Sequence, residues 1–348
     1  MAGITAKELA KKLGISPSAV SLALNGKPGV SQQTRNLVLE TAMQLGYSKI
    51  SSGSAFHTGK TICFIRYSGS VVGVAEHTSF ASFILQGIEA RATELGYNTQ
   101  VRYLNAGDMY SPQTIAFIRQ AAGVIFLGTD LTPSQLPEIN QFFALMDNCP
   151  LVVADSFLLS NRVDCIGNDS LGGAKAATEY LLQAGHRRLG YVKAKQRIPN
   201  LQQREQGFTA ALAETDHPQP VYVEVDISSE GAFRDFDSWL STNPELPDAL
   251  FAENDIVAAS VLRALKHHGY SIPGDISLIG FDDIPMCELL DPPLTTVHLS
   301  KEALGSYAMD QLHRRISAGQ VPHRTSTLPL VSTILSTRVV PRASVKAR

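Results

Sequence analysis

Asp155 follows Leu-Val-Val-Ala, Asn254 and Asp255 follow Ala-Leu-Phe-Ala-Glu, and Asp282 follows Ser-Leu-Ile-Gly-Phe, so three apolar runs end in groups able to hold a polar ligand. Arg66 and Lys193 stand at the same place after two further runs. In an open α/β sheet ligands bind outside the carboxyl ends of the strands, which makes these residues candidates for a binding site. Carboxylates, an amide and an arginine offer the paired acceptors and donors that vicinal hydroxyls need. Arg66, Lys193 and Lys195 together would instead suit an anion. For Asn254 and Asp255 an N-cap on the next helix is an equal reading, and capping leaves contact with a ligand open. No Ser/His/Asp arrangement, metal cluster or phosphate-cradling glycine loop accompanies them, and His186, in Gly-His-Arg-Arg, has the place of a structural residue at a helix-to-strand turn. The sequence predicts no catalysis, no metal and no cofactor.

Arg204, in Gln-Gln-Arg-Glu-Gln-Gly-Phe, opens a helix after an irregular stretch. A cation near a helix N-terminus opposes the helix dipole, so a partner is expected to hold it; a surface ion pair with Glu205 is the alternative. Phe80 and Phe233 could each stack on a flat ligand face. Phe80 also has core spacing, while Phe233, after Glu230-Gly231, reads as nearer a loop. Trp239 reads as core.

The elements that must position these residues follow from apolar patterning. Strand-like runs occur at residues 62–65, 99–104, 123–127, 151–154, 189–192, 221–225, 249–252 and 277–280, with helical stretches between most of them. Phe80, Phe83, Ile84, Gly87 and Ile88 keep helical spacing, as do Ala258, Val261, Leu262 and Leu265. Continuous apolar strands joined by helices imply parallel sheets covered on both faces, and their number favours two α/β subdomains over one sheet.

Residues 1–49 differ from this body. Lys7, Lys11, Lys12, Lys27, Arg35 and Lys49 against Glu8 and Glu40 give +4 in a chain whose net charge is −2, so the remainder carries −6. Thr5 with Glu8 forms a capping box, residues 6–13 have helical spacing, and Gly14 closes that helix. Ser16 caps a second helix with Pro17 in its first turn, and Asn25-Gly26 stops it. Ser31 caps a third, whose face of Leu37, Val38, Thr41, Ala42 and Leu45 can close a small core. A tight turn between two short helices is the helix-turn-helix geometry, and positive charge confined to one terminal module is what phosphate binding requires.

At 348 residues a small head and a larger body fit ordinary domain sizes. Residues 48–54, small and polar, read as a linker. No N-terminal apolar run or segment of about 18 apolar residues appears, so a cytoplasmic protein away from the membrane is expected. Cys63, Cys149, Cys165 and Cys287 show no CxxC spacing and read as buried thiols.

The chain resembles the lactose/galactose repressor (LacI/GalR) family over nearly its whole length. The head matches through Leu9-Ala10, Gly14-Ile15-Ser16, Val20-Ser21, Leu24-Asn25-Gly26, Val30-Ser31, Thr34-Arg35 and Leu45-Gly46-Tyr47. The body matches through Gly87-Ile88, Gly96-Tyr97, Gly185-His186-Arg187-Arg188, Arg204 with Gly207-Phe208, Pro247-Asp248-Ala249, Asn254-Asp255, Asp275-Ile276-Ser277, Gly280-Phe281-Asp282-Asp283 and Pro293-Leu294-Thr295-Thr296-Val297. The resemblance implies an all-α helix-turn-helix head (1–47), a hinge (48–60) and an α/β periplasmic-binding-protein-like body (61–348) of two parallel-sheet subdomains. The N-subdomain is expected at about 61–163 and 298–324, and the C-subdomain at about 164–292 and 325–341. It implies a homodimeric repressor that binds double-stranded operator DNA and closes on a small-molecule effector. A carbohydrate is the preferred effector, with a phosphorylated sugar or a nucleobase corepressor as alternatives.

By the same resemblance, Thr5, Ser16, Pro17, Ser18, Ser21, Leu22, Asn25, Ser31, Thr34, Arg35 and Phe56 are the candidate DNA contacts. Among the candidate effector contacts the resemblance implies Arg204, Asp282, Asn254 and Asp155, while Arg66, Lys193, Phe80 and Phe233 rest on the strand-end and stacking arguments above. Because Asp282 ends a strand and Arg204 starts a helix, and both match family contacts, they are expected on opposite walls of the cleft. Three features depart from the family pattern. Leu22 stands where many members carry a base-reading arginine, which shifts Pro17, Ser18 and Leu22 towards apolar contacts such as thymine methyls. Gly53 weakens the hinge helix by about 1 kcal/mol relative to alanine, and Phe56 takes the place of the residue that wedges into the minor groove. The first effector loop, residues 67–79, is longer than typical.

Overall fold

The computed structural model describes residues 6–24, 29–31, 34, 37, 38, 41, 60–68, 78–144, 149–214, 216–319 and 328–348. Thr5, Asn25, Arg35 and Phe56, with the linker and most of the first effector loop, lie outside these residues. The chain divides into two compact units at Lys60.

In the head, helix α1 (Ala6–Leu13) ends on Gly14, whose φ of +68° is the left-handed conformation that such a stop requires. Ser16 Oγ accepts from the Ala19 N–H at 3.1 Å and caps α2 (Pro17–Leu24), with Pro17 in the first turn. Ser31 Oγ likewise accepts from the Thr34 N–H at 3.1 Å, ahead of helical backbone at Thr34, Leu37, Val38 and Thr41. Leu9, Ala10, Val20, Ala23 and Val38 form the small core, with Leu13, Ile15 and Val30 partly covered. Leu37, expected on that core face, is 50% exposed. Adjacent helical positions point about 100° apart, so Val38 faces inward at the expense of Leu37.

The body holds two largely parallel sheets. The first, of six strands, runs in the order β11-β5-β4-β3-β1-β2. It comprises β1 (Thr61–Ser68), β2 (Asn98–Asn105), β3 (Gly123–Leu127), β4 (Leu151–Ala154), β5 (Asp164–Asn168) and β11 (Ser332–Leu335). The second runs β7-β6-β8-β9, from β6 (Leu189–Ala194), β7 (Val221–Val225), β8 (Ala249–Ala252) and β9 (Ser277–Ile279), all paired in parallel. A separate two-stranded sheet pairs β10 (Thr296–His298) antiparallel with β12 (Arg338–Val340).

The helices are α3 (Thr78–Glu94), α4 (Pro112–Gln120), α5 (Leu136–Ala144), α6 (Ser170–Gln183), α7 (Pro199–Ala213), α8 (Ser229–Leu240), α9 (Asp255–His267), α10 (Met286–Leu289) and α11 (Lys301–Gly319). Helices α3 and α11 cross at Gly87 and Gly305, where an added Cβ would strike the backbone of Glu302 or Ile84. That backbone-to-backbone packing fixes α3, whose first turn carries Phe80.

The subdomain crossings fall later than expected. β5 pairs with β4 and β11 pairs with β5, so the chain leaves the six-stranded sheet after Asn168 and after Leu335, rather than near Asp164 and Thr325. Asp164 holds this edge together. Its carboxylate accepts from Arg315 Nε at 2.6 Å and Nη2 at 2.5 Å, from Gln311 Nε2 at 2.8 Å and from the Val331 N–H at 2.9 Å. Burial alone would raise this carboxyl, yet Arg315, Gln311 and the Val331 amide hold it below the ordinary carboxylate value.

Candidate ligand-binding site

A small cavity of about 30 Å³ lies where the strand ends of the two sheets meet. That is room for about two water molecules, so the walls stand nearly closed and must part to admit a ligand. Phe80, Thr129 and Asp155 line it from the six-stranded side; Ile198, Asn200, Leu201, Arg204, Ile227, Asn254 and Asp282 line it from the four-stranded side.

Arg204 sits on α7 with its guanidinium stacked 3.9 Å over the Phe281 ring. Nη2 donates to Asp282 Oδ1 at 2.8 Å and Nη1 donates to the Glu253 carbonyl at 2.5 Å. Nε is buried without a partner. The expected partner is therefore Asp282 rather than Glu205, and the two residues share one wall instead of facing each other. The β6–α7 connection is pinned by the buried Glu253 carboxylate, which accepts from Arg197 Nη1 at 2.6 Å, the Ala194 N–H at 2.7 Å and Tyr191 Oη at 3.1 Å. Arg197 Nη2 also donates to Glu205 Oε2 at 2.7 Å. This brace sets where α7 begins and so where Arg204 points.

Asp155 faces the pair from the other subdomain. Thr129 Oγ1 donates to its Oδ2 at 2.7 Å, and Asn200 Nδ2 reaches across to its carbonyl and Oδ2, both at 3.2 Å. The two walls thus touch directly. Asp155 and Asp282 hold φ values of +60° and +113°, a left-handed backbone that costs a non-glycine residue energy and clusters at ligand clamps. Asn254 Oδ1 accepts from the Val257 N–H at 2.8 Å, so it caps α9 while also lining the cavity. Its neighbour Asp255 turns away to accept from Thr296 Oγ1 at 2.6 Å and the Ile284 N–H at 3.1 Å.

Desolvation pushes the Asp155 carboxyl up to about 7, with the charges of Asp282 and Asp130 adding to the rise against Thr129 and Arg204. The unfolded value is about 4, so the folded chain keeps this proton after the unfolded chain has lost it. The resulting stability is fully present below about pH 4 and is lost as pH rises through about 7. Asp155→Asn keeps an acceptor for Thr129 and cannot ionise. Relative to this variant, the native chain should lose stability between about pH 5 and about pH 8. Urea midpoints of both proteins at the two pH values check the difference, and parallel midpoints would contradict it; burial of Asp255 acts equally in both.

Three predicted contacts stand elsewhere. Arg66 is buried with its guanidinium 5.8 Å from the Tyr103 ring centroid. Lys193 lies 3.4 Å from both Glu205 and Glu224, because the side chain alternates away from the cavity at the end of β6. Phe233 is inside α8 rather than in a loop; it packs on the core under the Arg263 guanidinium at 3.9 Å. Thr129 and Ile227 were missed although both follow strands, and Asn200 was missed although it lies one helical turn before Arg204. His186 Nε2 lies 3.1 Å from the Lys346 carbonyl, a structural bond to the C-terminal segment.

In the head, Ser16, Pro17, Ser18, Ser21 and Ser31 are exposed, and Leu22 and Thr34 are half-buried.

Residues 5–49 match the family of bacterial regulatory proteins of lacI type, and residues 178–345 match the periplasmic binding protein-like domain. The HTH-type transcriptional repressor PurR of Haemophilus influenzae (strain PittEE) is 31% identical over 331 residues, covering 90% of this chain and 91% of that protein. Among solved structures, a lac repressor dimer bound to operator and the anti-inducer ONPF is similar with a TM-score of 0.70 at 23% identity, covering 99% of this chain and 100% of that one. A complex of the transcriptional regulator CelR with cellobiose gives 0.67 at 23% identity, covering 98% and 99%.

Proposed function

The chain belongs to the lacI family of bacterial regulatory proteins and is a DNA-binding transcriptional repressor, and from that premise we propose that a small neutral carbohydrate between the body subdomains sets its operator affinity. The carrying observation is the Arg204–Asp282 pair facing Asp155 across the cavity, with Asn254, Asn200 and Thr129 beside it. The donors and acceptors around it suit the hydroxyls of a sugar once the walls part, and Phe80 supplies an apolar face. The one cation among the described lining residues is Arg204, already paired with Asp282, which argues against a phosphorylated sugar. Cellobiose in the CelR complex supports the class of ligand without specifying it. A nucleobase is the second reading, favoured by Ile198, Leu201 and Ile227, which with Phe80 form apolar surface for a flat ring.

Arg204, Asp282, Asp155, Asn254 and Phe80 remain the proposed contacts, now with Asn200 and Thr129; Arg66, Lys193 and Phe233 leave the set. The working unit is a cytoplasmic homodimer, each head reading one operator half-site through Thr5, Ser16, Pro17, Ser18, Ser21, Leu22, Asn25, Ser31, Thr34 and Arg35. Phe56 wedges at the operator centre.

A thermal-shift screen of the full-length protein against aldoses, disaccharides, sugar phosphates and nucleobases tests the effector class. A ligand at a hundred times its Kd adds about 2.7 kcal/mol, a shift of several degrees. A neutral sugar is expected to give it. Response to a nucleobase or a sugar phosphate alone would overturn the carbohydrate reading.

A further inference from the structure

Asp237 on α8 and His267 with His268 at the end of α9 converge on one point outside the cleft. His267 Nδ1 lies 2.7 Å and His268 Nε2 3.1 Å from the same Asp237 Oδ1, and the three ligand atoms lie within 4.8 Å of one another. Successive residues of a continuing helix would point about 100° apart. Convergence is possible here because His267 is the last residue of α9 and His268 is its C-cap, with Gly269 turning the chain away at φ +81°.

We propose that Asp237, His267 and His268 form a site for a divalent transition metal of the zinc type, tying α8 to α9. Two imidazoles and one carboxylate are a donor set that zinc takes, whereas magnesium and calcium call for more oxygens. Zinc bonds of about 2.0–2.1 Å set tetrahedral ligands roughly 3.3 Å apart, so the 2.7 and 3.1 Å spacings to Asp237 must open by about 0.2–0.6 Å and the two imidazole nitrogens, within 4.8 Å of each other, must settle at the same separation. Water completes the coordination, since the His267 side chain is 65% exposed. The surroundings suit a cation. The carbonyl end of α9 carries the negative pole of the helix dipole. The neighbouring cations are already engaged: Arg263 Nη1 bonds Glu230 at 2.7 Å and Lys266 Nζ bonds Asp291 at 2.9 Å. The Phe233 ring, 6.1 Å from His267, limits how far that imidazole swings.

The test is calorimetric titration of chelator-stripped full-length protein with zinc chloride, alongside thermal melts. One zinc per chain and a raised melting temperature are expected, with affinity falling at least about tenfold in both His268→Gln and Asp237→Asn. Circular dichroism of the metal-free variants checks folding; should Asp237→Asn disturb it, the exposed His267→Gln replaces it in the comparison. Absence of saturable binding at about 100 μM zinc would overturn the site. So would native affinity in the variants, which would move the metal to other groups such as the cysteines.

Discussion

Arg204→Ala is expected to cost about 3–5 kcal/mol of folding stability and to abolish the response to ligand. The guanidinium is 6% exposed and the carboxylate it pairs with is 16% exposed, so the substitution leaves Asp282 charged in a largely desolvated place. The Glu253 carbonyl loses its donor in the same step, and the Phe281 ring loses the cation above it. Urea unfolding of the two proteins measures the loss. A loss below about 1 kcal/mol would show that solvent reaches the pair well enough to make it an ordinary surface bridge. The origin of the cost is separately readable, because adding Asp282→Ala removes the stranded charge. The double variant should recover part of the stability that Arg204→Ala alone gives up, while its ligand response stays lost.

Removing residues 1–60 is expected to eliminate operator binding, by about a thousandfold or more, while leaving a folded body that still binds ligand. Residues 1–49 carry +4 and the rest of the chain −6, so the isolated body repels the phosphates that the head neutralises. The dependence on salt should vanish with the head, since each neutralised phosphate contributes a log–log slope of about −0.9. Electrophoretic retardation of an operator duplex selected from a random library, at several salt concentrations, checks both points. Retardation by the truncated chain at moderate salt would place DNA affinity in the body.

Where apolar runs are continuous, the sequence and the structure agree: β1, β3, β4, β6, β8 and β9 lie on stretches rich in buried residues, whereas β2 buries Leu104 alone and β7 only Val223 and Val225. The strands that escaped notice have physical reasons for it. β5 reads Asp-Cys-Ile-Gly-Asn, and its leading Asp164 is tolerated inside because Arg315, Gln311 and the Val331 amide satisfy it from distant parts of the chain. β11 sits at the sheet edge with Ile334 62% exposed, and β10 and β12 are three-residue strands that pair with each other across 40 positions of sequence. No local pattern encodes such pairings.

The site was legible to the extent that it follows strand ends. Asp155, Asn254 and Asp282 came from that rule, and carrying it through β3 and β7 would have added Thr129 and Ile227. The rule fails where it cannot tell which way a strand-end side chain leans, as at Lys193, or whether a residue sits in a loop or already in a helix, as at Phe233. It also misplaced Arg204 relative to Asp282. Both come from the four-stranded side, so the true counterpart across the cleft is Asp155.

Fluorescence anisotropy of a labelled operator duplex, titrated with the full chain with and without the sugar that gives the largest thermal shift, joins head and cleft in one quantity. The native chain should change its operator Kd by about tenfold or more when ligand saturates, the usual size of an allosteric coupling. Asp282→Asn should bind the same duplex with an unchanged Kd in either condition. An operator Kd that saturating ligand leaves unaltered in the native chain would contradict control of DNA binding from this cavity.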